Sequence, residues 1–500
     1  MMLILVLLGI ILALLWYLRR NSTWEKRGVP GPKPLPIVGN ILRHFLGQKT
    51  LGQIYRQIYN KYDKYPFVGI YRATTPCLLV RDPEFVQRIL VKDFKSFQNN
   101  EMHVEKDVDV LFGRNPFVLR GKEWRDTRQM LSPGYTSGRM KNLYPMITEI
   151  AKTMVNFIEN HPTGTTDGIE TRLLTKRFTL DNVAKAAFGI DGKCFGSYDE
   201  MSDFMQLTNT FLQPGSFQAI LTQMIQIFPV ITKLPFMTFT NKSTADKIIS
   251  IISEVKKHRL QNNVQANDYL QFLIELGKEH KFSDVDVTAH ASTFFFDGYF
   301  TSSLVLSYLL LCLAMYPEYQ DKVRDEIKET LEKNNGEIPY ESLHDMPWLN
   351  ACLYESTRVY PIAESMMKVC TEDFEYTPTD PSYKNLTVQL KPGDVVMVPY
   401  GIMSKDPKYF VEPDKFLPER LLEKDEMSNK VFFPFGAGPR VCIGQRMGIM
   451  QIKLGAAHIV KNFQISTSPK LCQPIKYCAY NFMNEVKGGI WLRYRKINDH

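Results

Sequence analysis

Residues 432–446 read FFPFGAGPRVCIGQR, with one cysteine, Cys442, set among glycines and with Arg440 two positions before it. A free cysteine most often serves as a small buried apolar residue. The alternative is a thiolate held for a metal. Backbone N–H groups of a glycine-rich turn can point at the sulfur, and a nearby cation favours its charged form. The loop taken alone fits both readings.

Three further groups of residues could do chemistry. In DGYFTSS, Gly298 and Thr301 lie about one helical turn apart, with Asp297 at i, i+4 to the threonine. A mid-helix glycine costs about 1 kcal/mol relative to alanine, so it asks for a reason. One reason is close approach of a flat ligand to the backbone, with the Thr301 hydroxyl beside it. The other is a helix–helix contact, with the threonine bonding back to its own turn. In LYESTRVYP, Glu355 and Arg358 pair at i, i+3 among apolar neighbours, and FLPERL offers Arg420 as a third member. A buried pair needs such extra partners. In GKEWRDTRQM, Trp124 and Arg128 share a face with Arg125 beside them. That face is either a carboxylate clamp or a solvated basic surface.

The elements that must position these groups follow from pattern. The 500 residues, 44% hydrophobic and 12% aromatic, can fill a large core. No repeat, low-complexity tract or linker follows residue 45, so one large domain over 46–500 is expected. The opening MMLILVLLGIILALLWYL carries no charge before Arg19 and Arg20. Its eighteen residues would span about 27 Å as a helix. The basic pair follows the apolar run, and no small-residue cleavage site is present, so residues 1–20 read as a signal anchor with the rest of the chain cytoplasmic. In that reducing compartment the eight cysteines imply no disulfides. A net charge of +8 without a basic stripe excludes a nucleic-acid binder and suits an anionic membrane and an acidic partner.

Residues 21–45 form a connector, in which the four prolines of RGVPGPKPLPIVGN forbid helix. A helix from about Leu51 to Tyr62 and the strand-like run FVGIYRATTPCLLV follow. Helical periodicity dominates from Pro83 onward, so the fold is mainly α with a smaller β region. One helix stands apart: it opens on a capping-box pattern at Ser283 and Asp286 and stops at Pro317. Apolar on all sides and about 50 Å long, it must cross the middle of the domain. Asp297, Gly298 and His290 within it argue against a second membrane span.

Taken in order, the long threonine-bearing helix, ESTR, PER, WRDTR and FGAGPRVCIG resemble one family from anchor to last strand. The sequence resembles the cytochrome P450 superfamily, in particular its microsomal, membrane-anchored animal members and the xenobiotic-metabolising branch of arthropod type. The resemblance implies haem b, with Cys442 as the axial thiolate and Phe435 packed beside the sulfur. It places Trp124, Arg128 and Arg440 on the haem propionates, and puts Lys368 where an arginine is usual. Glu355, Arg358 and Arg420 match a buried salt-bridge network. Gly298 and Thr301 would lie over the distal face. The acid usual directly before that threonine is replaced by Phe300, and Asp297 is the nearest substitute for proton delivery.

The resemblance further implies a monooxygenase that uses O2 and NADPH-derived electrons from a flavoprotein reductase, with a microsomal cytochrome b as a second donor. Substrates would be lipophilic and enter under an apolar roof at 211–239, at the endoplasmic reticulum membrane. The competing expectation is a haem-thiolate isomerase or dehydratase that works without O2 activation.

Overall fold

The structure is a computed structural model and describes residues 22–212, 217–234, 237–264, 266–280, 282–422 and 428–497. The expected anchor at 1–20 lies outside the described residues. A little over half of the chain is helical, with a smaller sheet region, as the periodicity predicts.

The axis of the molecule is the helix Asp284–Met315. Ser283 accepts from the Asp286 backbone N–H while the Asp286 carboxylate accepts from the Ser283 N–H, so the predicted capping box forms in full. Pro317 opens the next helix, Pro317–Lys333, at the predicted stop. Among the described residues this is the one helix long and apolar enough to cross a membrane. Most of its apolar stretch is buried inside the fold, which makes it a core helix. Helices Thr171–Phe188, Gln445–Asn462 and Pro347–Val359 pack around it and build one large apolar core.

A second core lies under the sheet. The hairpin Phe67–Arg72 and Thr75–Val80 is joined in parallel by Val395–Val398, then antiparallel by Met366–Val369 and Asn99–Asn100. Segments far apart in sequence thus meet around Lys368, whose strand lies one in from the sheet edge. The proline-rich stretch is non-helical, as its prolines require, but short helices Thr23–Lys26 and Leu42–Phe45 flank it. Trp24, Val29 and Ile41 are buried in the sheet core, and Trp24 Nε1 donates to Ile70 O at 3.1 Å. This stretch is therefore built into the domain.

Glu355 and Arg358 are wholly buried. Arg358 Nε and Nη2 each donate to a Glu355 carboxylate oxygen at 2.8 Å, and its remaining donors reach the carbonyls of Ser404, Pro413 and Lys415. Arg420 Nε and the Leu417 N–H complete the shell on Glu355 at 3.1 and 3.0 Å. Such complete satisfaction lets a buried charge pair be tolerated. It also pins helix Pro347–Val359 to the loop that leads toward Cys442.

Candidate cofactor site

From Val287 to Ala314 every residue of the central helix is buried except Asp297, Gly298 and Thr301. Thr301 links the three, since it lies at i+4 from Asp297 and i+3 from Gly298, the spacings that make helix neighbours. The helix is enclosed on all sides, so this face borders an interior cleft. Cys442 has the same character, with accessible surface on a group that lies deep within the fold. Burial pushes the Cys442 thiol up, the Gly444 amide draws it down, Asp297 pushes it up again and Arg128 draws it down. A Cβ on Gly448 would lie 3.7 Å from Ser302 Oγ of the central helix and 3.9 Å from Phe435 Cε1 of the cysteine loop, so the two are close neighbours, and the Asp297 charge acts on Cys442.

The loop geometry is local. Gly436 and Gly438 have φ of +77° and +68°, a left-handed conformation that favours glycine. A Cβ on Gly438 would lie 1.9 Å from Leu90 O, so no side chain fits there. The Cys442 N–H donates to Phe435 O at 2.9 Å, closing the turn and holding the Phe435 backbone against the cysteine. The helix Gln445–Asn462 starts three residues later. Among the described residues no group of three or more His, Cys, Asp or Glu could hold a metal ion. Cys442 is thus a single thiol donor, held by a glycine turn and facing accessible space inside the fold.

A cationic rim flanks the cleft. The Arg440 guanidinium lies 4.2 Å over the Trp124 ring and donates to the carbonyls of Gln98, Pro116 and Leu119 at 2.8, 3.1 and 2.8 Å. Burial, Arg128 and Arg120 push its pKa down to about 9. Lys368 Nζ donates to Asn100 Oδ1 at 2.9 Å, and burial together with Arg440 pushes it down to about 7. Arg128 is lowered by burial. Arg120 Nε is buried with no partner among the described residues. No carboxylate of the described residues pairs with Arg128, Arg440 or Lys368. Arg128, Arg440 and Lys368, with Arg440 repelled by Arg128 and Arg120 and repelling Lys368, form a cradle for two carboxylates, which is what haem propionates supply. The residues present fit haem.

The distal residues divide. Thr301 Oγ1 donates to Asp297 O at 2.9 Å, bonding back to its own turn. A Cβ on Gly298 would meet Val183 Cγ2 at 3.1 Å, so the glycine serves the contact with helix Thr171–Phe188, while Gln451 Nε2 donates to its carbonyl at 3.0 Å. Phe300 is buried on another face. Asp297 Oδ2 accepts from Asn115 Nδ2 at 3.0 Å, and burial pushes the carboxyl up to about 6 against that hydrogen bond. Sequence reasoning missed Asn115, Asn100 and Arg120. Each precedes the WRDTR helix, Asn100 in the short edge strand and the others outside regular elements, and acts on a residue distant in the chain, so no local spacing marks it.

The family profile for cytochrome P450 matches residues 29–492. The chain belongs to the cytochrome P450 family. It is similar to the probable cytochrome P450 28a5 of Drosophila melanogaster, 32% identical over 95% of each chain. It is also similar to cytochrome P450 6j1 of Blattella germanica, 32% identical over 97% of this chain and 95% of that one. Cytochrome P450 9e2 of Blattella germanica is 29% identical over 94% and 93%. Membership makes the chain a haem-thiolate oxidoreductase with haem b as its cofactor.

Proposed function

We propose that this cytochrome P450 is a monooxygenase that inserts one oxygen atom of O2 into lipophilic small molecules, drawing NADPH-derived electrons through a flavoprotein reductase. The observation that carries the reading is the opposition of Cys442 to the one open face of the central helix, Asp297, Gly298 and Thr301. Haem b, when bound there, supplies redox chemistry on oxygen at its iron. Cys442 would hold the iron through its thiolate, and a thiolate donates electron density that favours O–O cleavage. The glycine-turn amides temper that donation. Phe435 covers the loop side against water. Trp124, Arg128, Arg440 and Lys368 hold the propionates, Lys368 through a single ammonium rather than a planar fork.

Proton handling on the open face falls to Asp297 and the Thr301 hydroxyl. A carboxyl that titrates at about pH 6 can give and regain a proton close to neutrality. The competing isomerase or dehydratase reading draws on Phe300, which can neither donate nor accept a proton. Substrate reaches the cleft from lipid. Ile220, Val230 and Leu234 of the roof, Leu35 and Ile37 of the proline-rich segment and Leu42 and Leu46 just after it expose apolar side chains. With an N-terminal anchor they support attachment to the endoplasmic reticulum on its cytoplasmic side, where the reductase and a cytochrome b donor would dock.

The test is purified protein with reductase, NADPH and a panel of lipophilic compounds, scored for oxygenated products. Products that require O2 and NADPH are expected, whereas rearranged lipid peroxides without either favour the isomerase. Cys442→Ala should abolish the thiolate-type absorption band of the reduced carbon-monoxide complex. Retention of that band would remove Cys442 as the ligand.

A further inference from the structure

Asp297 is a charge without a counter-ion. Its carboxylate accepts from the Asn115 amide at 3.0 Å, and its other oxygen has no partner among the described residues. No cation lies within reach of it: Arg114 pairs with Asp286 at 3.0 Å and Arg172 donates to Ser303 at 2.6 Å. The cationic rim acts on itself and on Cys442 rather than on Asp297. Buried charges in proteins are paired or hydrogen-bonded, because an uncompensated one is costly to desolvate. A cation that pairs with Asp297 would have to come from outside the chain and enter the cleft.

Asn115 is locked to present the carboxylate. Its N–H donates to Phe112 O at 2.9 Å, its Oδ1 accepts from the Phe117 N–H at 2.8 Å, and its carbonyl accepts from the Val118 N–H at 3.0 Å. With every backbone direction fixed, its amide holds one Asp297 oxygen and leaves the other facing the cleft. The same turn carries Phe112, stacked on Phe239 at 3.9 Å and 12°, and Phe239 meets Phe482 edge-on at 5.5 Å. Aromatic rings thus lie on the turn whose Asn115 holds Asp297, and rings together with a carboxylate are the chemistry that receives alkylammonium groups.

Resting on the monooxygenase reading for the location of the substrate cleft, we propose that Asp297, positioned by Asn115, anchors substrates that carry a cationic nitrogen on a lipophilic body. The carboxylate selects such amines over neutral hydrocarbons and fixes which end of the molecule faces the helix.

The test uses the haem-loaded, full-length protein and two probes: an arylalkyl trimethylammonium ion and the isosteric hydrocarbon in which carbon replaces nitrogen. The quaternary nitrogen has no lone pair, so it cannot bind iron. Dissociation constants come from equilibrium dialysis, with the Soret shift as a second readout. The wild type should bind the cation more tightly. Asp297→Asn should weaken the cation about tenfold or more, the loss typical of a removed charged partner, and leave the hydrocarbon nearly unchanged. Asp297→Glu should keep the preference, which keeps the test decisive if the asparagine variant holds haem poorly.

Equal weakening of both probes, or a wild type that favours the hydrocarbon, overturns the proposal. So does a shifted absorption spectrum of the ligand-free asparagine and glutamate variants with no change in cation binding, since the carboxylate then serves the cofactor. A wild type lacking the thiolate-type carbon-monoxide band defeats the monooxygenase reading instead, and dialysis of the cation still decides this one.

Discussion

The Arg172 guanidinium lies 5.0 Å from the centre of the Phe300 ring. Phe300, directly before Thr301, thus turns away from the cleft, onto a cation that a carboxylate would pair with. Arg172 settles on Ser303 Oγ at 2.6 Å, with Glu485 at 4.0 Å. The residue that could complete a route between that cation and Thr301 is an inert ring.

Phe300→Glu should place a carboxylate against Arg172 and restore a proton-carrying group beside Thr301. The variant is expected to divert a smaller share of NADPH electrons to hydrogen peroxide than the wild type. NADPH consumed, product and peroxide are measured with one substrate in both proteins, and Arg172→Ala added to the variant should remove the gain. Equal or poorer coupling in the variant leaves Phe300 as a packing residue and proton delivery to Asp297 and water.

Arg358→Lys should fail almost as badly as Arg358→Ala. Lysine cannot reproduce the fork that binds both Glu355 oxygens and three carbonyls. Removing one partner of a buried pair costs roughly 3–5 kcal/mol. Urea unfolding followed by haem absorbance should show a large fall in midpoint, or no haem-loaded protein at all. A midpoint within error of the wild type would contradict the buried-network account.

Lys368 sets a pH dependence of the haem-free fold. Its folded pKa of about 7 lies below the ordinary lysine value, so between the two the unfolded chain binds a proton that the folded chain does not. Stability therefore rises as pH climbs from about 7 toward the ordinary lysine range, and the gain is lost as pH falls back to about 7. Haem propionates would recharge the amine, so haem binding at a pH above 7 should take up a proton. Proton uptake in weakly buffered titrations should be present in the wild type and reduced in Lys368→Met. No difference between the two would remove Lys368 from the propionate rim.

Deletion of residues 1–20 should release the protein only in part from membranes and leave haem binding intact. The exposed Ile37 and Val230, 71% and 70% accessible, belong to a second apolar surface independent of the anchor. Flotation of the truncated protein with vesicles measures the fraction that stays bound. Complete release would show that the anchor alone holds the membrane.

Much of the site was legible in the sequence because its determinants are local. The Cys442 loop is written in glycines whose left-handed φ is a property of a few consecutive residues, and Gly438 shows why no other residue fits. The Ser283–Asp286 capping box and the stop at Pro317 fix the central helix from its own ends. Glu355 and Arg358, one turn apart, announce a pair, and apolar neighbours announce its burial.

Tertiary structure decided what depends on direction and on distant contacts. Periodicity says that the central helix is apolar all round, but only packing leaves Asp297, Gly298 and Thr301 uncovered and turns Phe300 onto Arg172. Gly298 could serve a flat ligand or a neighbouring helix, and Val183 at 3.1 Å from its virtual Cβ shows the neighbour. Asn115 reaches Asp297 across 182 residues, and Arg440 reaches the carbonyls of Gln98 and Leu119 across more than 300. Such partners are set by the free energy of closing long loops over a shared core, and nothing in the local pattern of either residue encodes the other.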